Sequence, residues 1–199
     1  MADWTSVRYA VIDVEGNGHQ PPDLVELAVV PIVGGEIGEA QSWLVKPEQP
    51  IRFFATRIHG ITNQQLADAP TFNAIENDVR LALNSADVVV AHNAHVDVGL
   101  MSRKLPNWRP TEVFDTLKLA KRFKPDQMSY KLGSLVEAFS LAEGLPGGLS
   151  PHRATYDALV AARLFVHLTN ESAEQPLTLE ALRGQPPEGS DEFEAPALF

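Results

Sequence analysis

The sequence predicts an α/β fold in which helices flank a mixed β-sheet, and three observations carry this expectation. Strand-like apolar runs at 7–14, 24–33 and 36–45 follow one another with only turns between them, which makes an antiparallel meander. The run 87–91 (DVVVA) is short and continuously apolar, the pattern of a strand covered on both faces. Beyond it, helical and extended segments alternate, and strands alternating with helices build a sheet covered by those helices.

Each element has its own signal. Residues 7–14 read as a central strand that runs into YAVIDVEGNG, and 24–33 (LVELAVVPIV) as its neighbour. Gly34-Gly35 turns the chain into a third strand at 36–45. The stretch 47–58 lacks periodicity and is expected to be irregular. His59-Gly60-Ile61-Thr62 then leads to a short helix capped by Thr62 or Asn63. Apolar residues at 72, 75, 79, 82 and 83 have helical spacing. A helix is expected at 94–104, an edge strand at Val113 and Phe114, and helices at 116–123 and 131–141. The last helix, 154–168, starts after the breaker Gly147-Gly148-Leu149-Ser150-Pro151.

After Thr169 the chain turns rich in Pro, Glu and Gly and loses periodicity. Residues 1–170 are therefore expected to form one domain and 171–199 a disordered acidic tail. That tail holds seven acids and one base, a net −6 of the chain's −10. Residues 103–131 instead carry eight of the sixteen Lys and Arg against three acids, so the acidic total does not exclude nucleic acid. No run approaches the roughly 18 apolar residues that span a bilayer. The start, MADWTSVRYA, has no charged-then-apolar signal pattern, so an intracellular, cytoplasmic protein is expected. The absence of cysteine excludes disulfides, thiolate nucleophiles and Cys-bound zinc.

Asp13 and Glu15 put two carboxylates on one face of an otherwise apolar strand, because alternate strand residues point the same way. Like charges there repel and lose hydration. Two more acids, Asp97 and Asp157, fall in the first turns of the helices at 94–104 and 154–168. His152, five residues before Asp157, is held by Ser150-Pro151 in a loop that can fold back beside that acid. Hard divalent cations, Mg²⁺ or Mn²⁺, favour oxygen ligands and relieve such crowding. A pair of them about 3.5–4 Å apart is the usual clamp for in-line displacement at phosphorus.

In these motifs the sequence resembles the DEDD-type 3′–5′ exonucleases, in the subgroup with a catalytic histidine. VIDVEGNG matches the family's Asp-x-Glu strand end, VVVAHNAHVD its apolar strand and His-Asn-x-x-x-Asp, and HRATYDALVAARLF its His-x-x-x-x-Asp helix start. Arg153 stands where the sister subgroup has tyrosine. RIHGIT, DTLKLAKR and YKLGSL match as well, so the likeness spans about residues 7–168. AHNAHVD and PHRATYD look most like the segments of exodeoxyribonuclease X and of the proofreading subunit of bacterial replicative polymerases.

The resemblance implies a ribonuclease-H-like fold and two divalent cations, Mg²⁺ or Mn²⁺, in one site. By position, Asp13, Glu15 and Asp157 would hold the first, with Asp13 bridging to a second supported by Asp97. His152 would be the general base, since imidazole exchanges protons near neutral pH. His59 would lie near the terminal nucleotide and Asn93 beside it as a further substrate contact. Two departures concern the grip on the 3′ end. Gly16-Asn17 replaces a pair of threonines, and Phe54 replaces an acid found in some members five residues before the loop histidine.

The expected activity is therefore 3′–5′ hydrolysis of DNA, at single-stranded or frayed ends, releasing nucleoside 5′-monophosphates. An exoribonuclease and a non-catalytic subunit docked to a polymerase or repair complex are the alternatives. The tail, ending Ala-Pro-Ala-Leu-Phe, has three readings: a solubiliser, an anchor for a clamp, polymerase or repair partner through Leu198 and Phe199, or an autoinhibitor folded on the basic stretch 103–131.

Overall fold

The structure, a computed structural model, describes residues 3–170 and 177–184. A single 3-10 turn (Trp4–Ser6) leads into strand β1 (Tyr9–Gly16), which pairs antiparallel with β2 (Leu24–Val33). The second strand lies where the sequence predicts it. The expected third strand is broken in two, β3 (Glu36–Ile37) and β4 (Gln41–Leu44), both paired with β2. Pro31 is the reason. Its carbonyl accepts the Gly38 N–H at 2.8 Å, but its ring nitrogen has no hydrogen to return, so the ladder lapses there.

Helix α1 (Phe53–His59) occupies the stretch expected to be irregular. It buries only Ala55 and His59 and ends at Gly60, whose φ of 74° needs no Cβ. Two buried positions in seven leave no apolar period for a sequence reading to detect. The helix expected after Thr62 is only a turn. In it Thr62 and Gln65 cap one another, with Thr62 N–H donating to Gln65 Oε1 at 2.8 Å.

Next come α2 (Phe72–Asn84), β5 (Val88–Ala91), α3 (His95–Lys104), β6 (Val113–Asp115), α4 (Thr116–Phe123), α5 (Leu132–Ala138) and α6 (Ala154–Asn170). β5 lies parallel to β1, and β6 parallel to β5, giving the order β3-β2-β1-β5-β6 with β4 also on β2. Tyr9 and Val11 point into a core shared with α4, α5 and α6, whereas Ala10 and Ile12 point into a second core under α2 and α3. The alternation of β1 thus assigns its two acids to a face. Asp13 and Glu15 continue the Tyr9–Val11 side, beneath α6.

Residues 177–184 fold onto the domain, with α7 (Leu179–Arg183) capped by Thr178 and its Leu179 and Leu182 buried in the α6-side core. Arg122 donates to the Ala181 and Leu182 carbonyls at 2.6 and 3.0 Å, and Arg183 forms a two-bonded pair with Glu112. The helix is too short to stand alone, and tertiary contacts alone hold it. Residues 171–176 and 185–199, including Leu198 and Phe199, lie outside the described residues. The bases of 103–131 do not form one face either. Arg122 serves α7, and Arg103 and Lys104 tie to the Pro22 carbonyl and to Asp23.

Candidate active site

The three parallel strands end on one edge of the sheet, so the residues that follow them meet there. β1 outruns β5, because the parallel pairing stops at Val11–Val90 and leaves the last turn of β1 without a neighbour on that side. Asp97, on the first turn of α3, fills the gap by accepting the Val14 N–H at 3.0 Å. Asp13, Glu15 and Asp157 come together from the other face, with one oxygen of each lying within 4.8 Å of the others. Of the four predicted acids, three form a cluster, and Asp97 reaches its margin from the opposite helix layer.

Electrostatics confirm the crowding. Burial pushes the Glu15 carboxyl up to about 8, with the charges of Asp157, Glu26 and Asp97 adding to it. Burial raises Asp97 to about 7 despite the stabilising Val14 N–H, and raises Asp157 to about 6. Asp13 is pushed well above the usual carboxylate range by burial, then by Asp97 and Asp157. Clustered hard oxygen donors whose charge is unsatisfied by protein cations are the donor set of a metal site, and these residues fit one.

His152 sits in the turn before α6 at φ 61°, a left-handed conformation uncommon for histidine. Its backbone N–H donates to Asp157 Oδ2 at 3.0 Å, which ties the turn to the cluster and leaves the imidazole exposed. Beside it opens a groove of about 1000 Å³ lined by Asn93, Lys121, Tyr130, Lys131, Tyr156 and His152. Asn93 is also left-handed, at φ 64°, and its N–H is held by Asp115 Oδ1 at 2.9 Å. His92 before it bridges Thr116 Oγ1 and the Tyr130 carbonyl, pinning the groove's loop to the end of β5.

His59 does not reach the groove. It is 4% exposed, its Nδ1 accepts the Ile61 N–H at 3.0 Å, and its Nε2 has no hydrogen-bond partner of acceptable geometry. Burial lowers its pKa, partly offset by the nearby Gly16 carbonyl. Packing against the end of β1, beside Gly16, buries it there.

Glu26 and Arg153 were not singled out as a pair from the sequence. Glu26 is the cross-strand partner of Glu15, 3% exposed, and accepts two bonds from Arg153 (3.0 and 2.6 Å) and one from the Ala154 N–H (2.9 Å). It holds the residue after His152 and the first N–H of α6 together. The one available signal was an acid inside the apolar run LVELAVV. Glu26→Ala should destabilise the protein by about 2 kcal/mol, below the full 3–5 of a buried pair because Arg153 is partly exposed. Glu26→Gln, which keeps hydrogen-bonding atoms, should recover part of that loss. A urea midpoint unchanged in Glu26→Ala would show that the pair carries no stability.

Comparison with known proteins agrees with this geometry. The Exonuclease family model matches residues 10–165. Exodeoxyribonuclease 10 of Escherichia coli (strain K12) is 35% identical over 176 residues, covering 88% of this chain and 75% of that protein. The 3′-5′ exonuclease DinG of Bacillus subtilis (strain 168) is 33% identical over 184 residues, but the chain spans only 19% of its length. Among solved structures, Exonuclease X in complex with 5′ overhanging duplex DNA superposes with a TM-score of 0.71 at 33% identity, covering 88% of this chain and 99% of that one. The α/β sheet is thus the ribonuclease-H-like one, and the chain belongs to the exonuclease family.

Proposed function

We propose that this protein removes nucleotides one at a time from the 3′ end of DNA, single-stranded or frayed, and releases nucleoside 5′-monophosphates. The observation that carries the reading is the Asp13–Glu15–Asp157 cluster at the mouth of the groove, with the His152 imidazole exposed beside it. Asp13, Glu15 and Asp157 would hold the divalent cations, Mg²⁺ or Mn²⁺, two per site, with Asp97 supporting the second. Bound there, such ions stabilise charge on the attacking and leaving oxygens.

The chain's own residues do the rest. His152 takes the proton of the attacking water, and the bond from its backbone to Asp157 fixes its turn against the cluster. The groove lies open on the other side, where Lys121 and Lys131 meet phosphates and Tyr130 meets a base. Asn93, locked by Asp115, lines the same groove and completes the substrate contacts. The acidic net charge favours an enzyme that grips one end over one that coats a duplex. A DNA substrate fits a cytoplasmic protein, and among the described residues no helix is long and apolar enough to cross a membrane. The polymerase, clamp or repair contact expected of the C-terminus falls on 185–199, outside the described residues. Its test is loss of a partner in pull-downs when those residues are deleted.

The deciding assay offers single-stranded DNA, duplex DNA and RNA, labelled at either end, with Mg²⁺ or with EDTA. A 3′-phosphate should block degradation and a 5′-phosphate should not. Release of 3′-monophosphates would overturn the reading, and preference for RNA would move the substrate class.

A further inference from the structure

Large apolar side chains left in water are ordinary when scattered and informative when grouped. Phe53, Phe54 and Ile58 are 77%, 53% and 54% exposed, and all three lie on the seven residues of α1. None is needed to hold that helix, which docks through Ala55 and His59. The Phe54 ring lies over Gly18, where an added Cβ would come within 2.9 Å of its Cζ. Gly18 is two residues past the end of the strand bearing Asp13 and Glu15, so the ring lies at that end of the strand.

The charge pattern matches. Arg52, the residue before α1, and Arg57 within it are both exposed, and Arg57 stacks over the Phe53 ring at 5.8 Å. Among the described residues neither has a carboxylate partner. From Ile51 to Leu66 the chain has no acid, although its net charge is −10. Aromatic rings interleaved with arginines make a surface for stacked bases and their phosphates, and the stacking tolerates any sequence. A protein partner would find apolar rings there too, but the acid-free, arginine-bearing border at the end of the acid-bearing strand favours a polyanion.

We propose that the Phe53–Phe54 face of α1 is a stacking platform for unpaired bases at the end of a single-stranded nucleic acid. It rests on the exonuclease reading, and Arg52 and Arg57 hold the adjoining phosphates. The platform gives this chain an apolar hold on the substrate end.

The test compares the full chain with a Phe53→Ala/Phe54→Ala variant on two oligonucleotides, one normal and one abasic at its last three positions. Both are supplied with Mg²⁺. The unaltered protein should prefer the normal strand by about tenfold in kcat/KM, mainly through KM, since stacking accounts for a factor of that order per base. The variant should lose the preference, and Phe53→Trp/Phe54→Trp should restore it. A preference that persists in the alanine variant overturns the platform and leaves this face to a protein partner. If the unaltered protein cleaves neither strand, it is the exonuclease reading that fails. Both rings are exposed, so circular dichroism of the variant should match the unaltered protein.

Discussion

Asp13→Asn or Asp157→Asn should reduce hydrolysis to below about one-thousandth while raising the melting temperature of the metal-free protein. The two effects have one cause. Asp13, Glu15 and Asp157 are held close together in a set that fits a cation, and without one they repel. Carboxyls raised in the folded state bind protons there that the unfolded chain releases near pH 4. The cluster's contribution to the stability of the metal-free protein is therefore greatest at low pH. It falls as pH climbs from about 4 through the folded values of about 6 for Asp157 and about 8 for Glu15. An amide at position 13 removes one charge from this set and should flatten the slope. Saturating Mn²⁺ should flatten it in the unaltered protein and raise the melting temperature, because a ligand bound only by the folded state stabilises it. Near-native rates in either variant, or a pH slope that neither the position-13 amide nor Mn²⁺ alters, would refute the cation site.

His152→Ala should lower kcat by about 10²- to 10⁴-fold, the usual contribution of a positioned general base. Cation affinity, followed by titration calorimetry with Mn²⁺, should hardly change. Asp157 accepts the backbone N–H of residue 152, and alanine keeps that group. Alanine is less comfortable than histidine at φ 61°, so His152→Asn serves as the control. Asparagine tolerates the left-handed backbone yet cannot take the proton, and it should be equally slow. A loss of less than about tenfold in both variants would mean that another group is the base.

Much of this protein was determined by sequence patterns that act within a few residues. The largely apolar stretch from Leu24 to Val33, the run before Ala91 and the helical spacing of 72–83 each encode an element through its own pattern. The strand's two-residue repeat likewise put Asp13 and Glu15 on one face before any contact was known. Tertiary structure alone decided the rest. It brought Asp157 to those two acids, set Asp97 apart on the Val14 N–H, and joined Glu26 to Arg153 across 127 residues. It also made helices of 53–59 and 179–183 and buried His59. Short helices with two buried side chains carry no period of their own. Their conformation comes from apolar surface and hydrogen-bond acceptors that other parts of the chain supply only once folded.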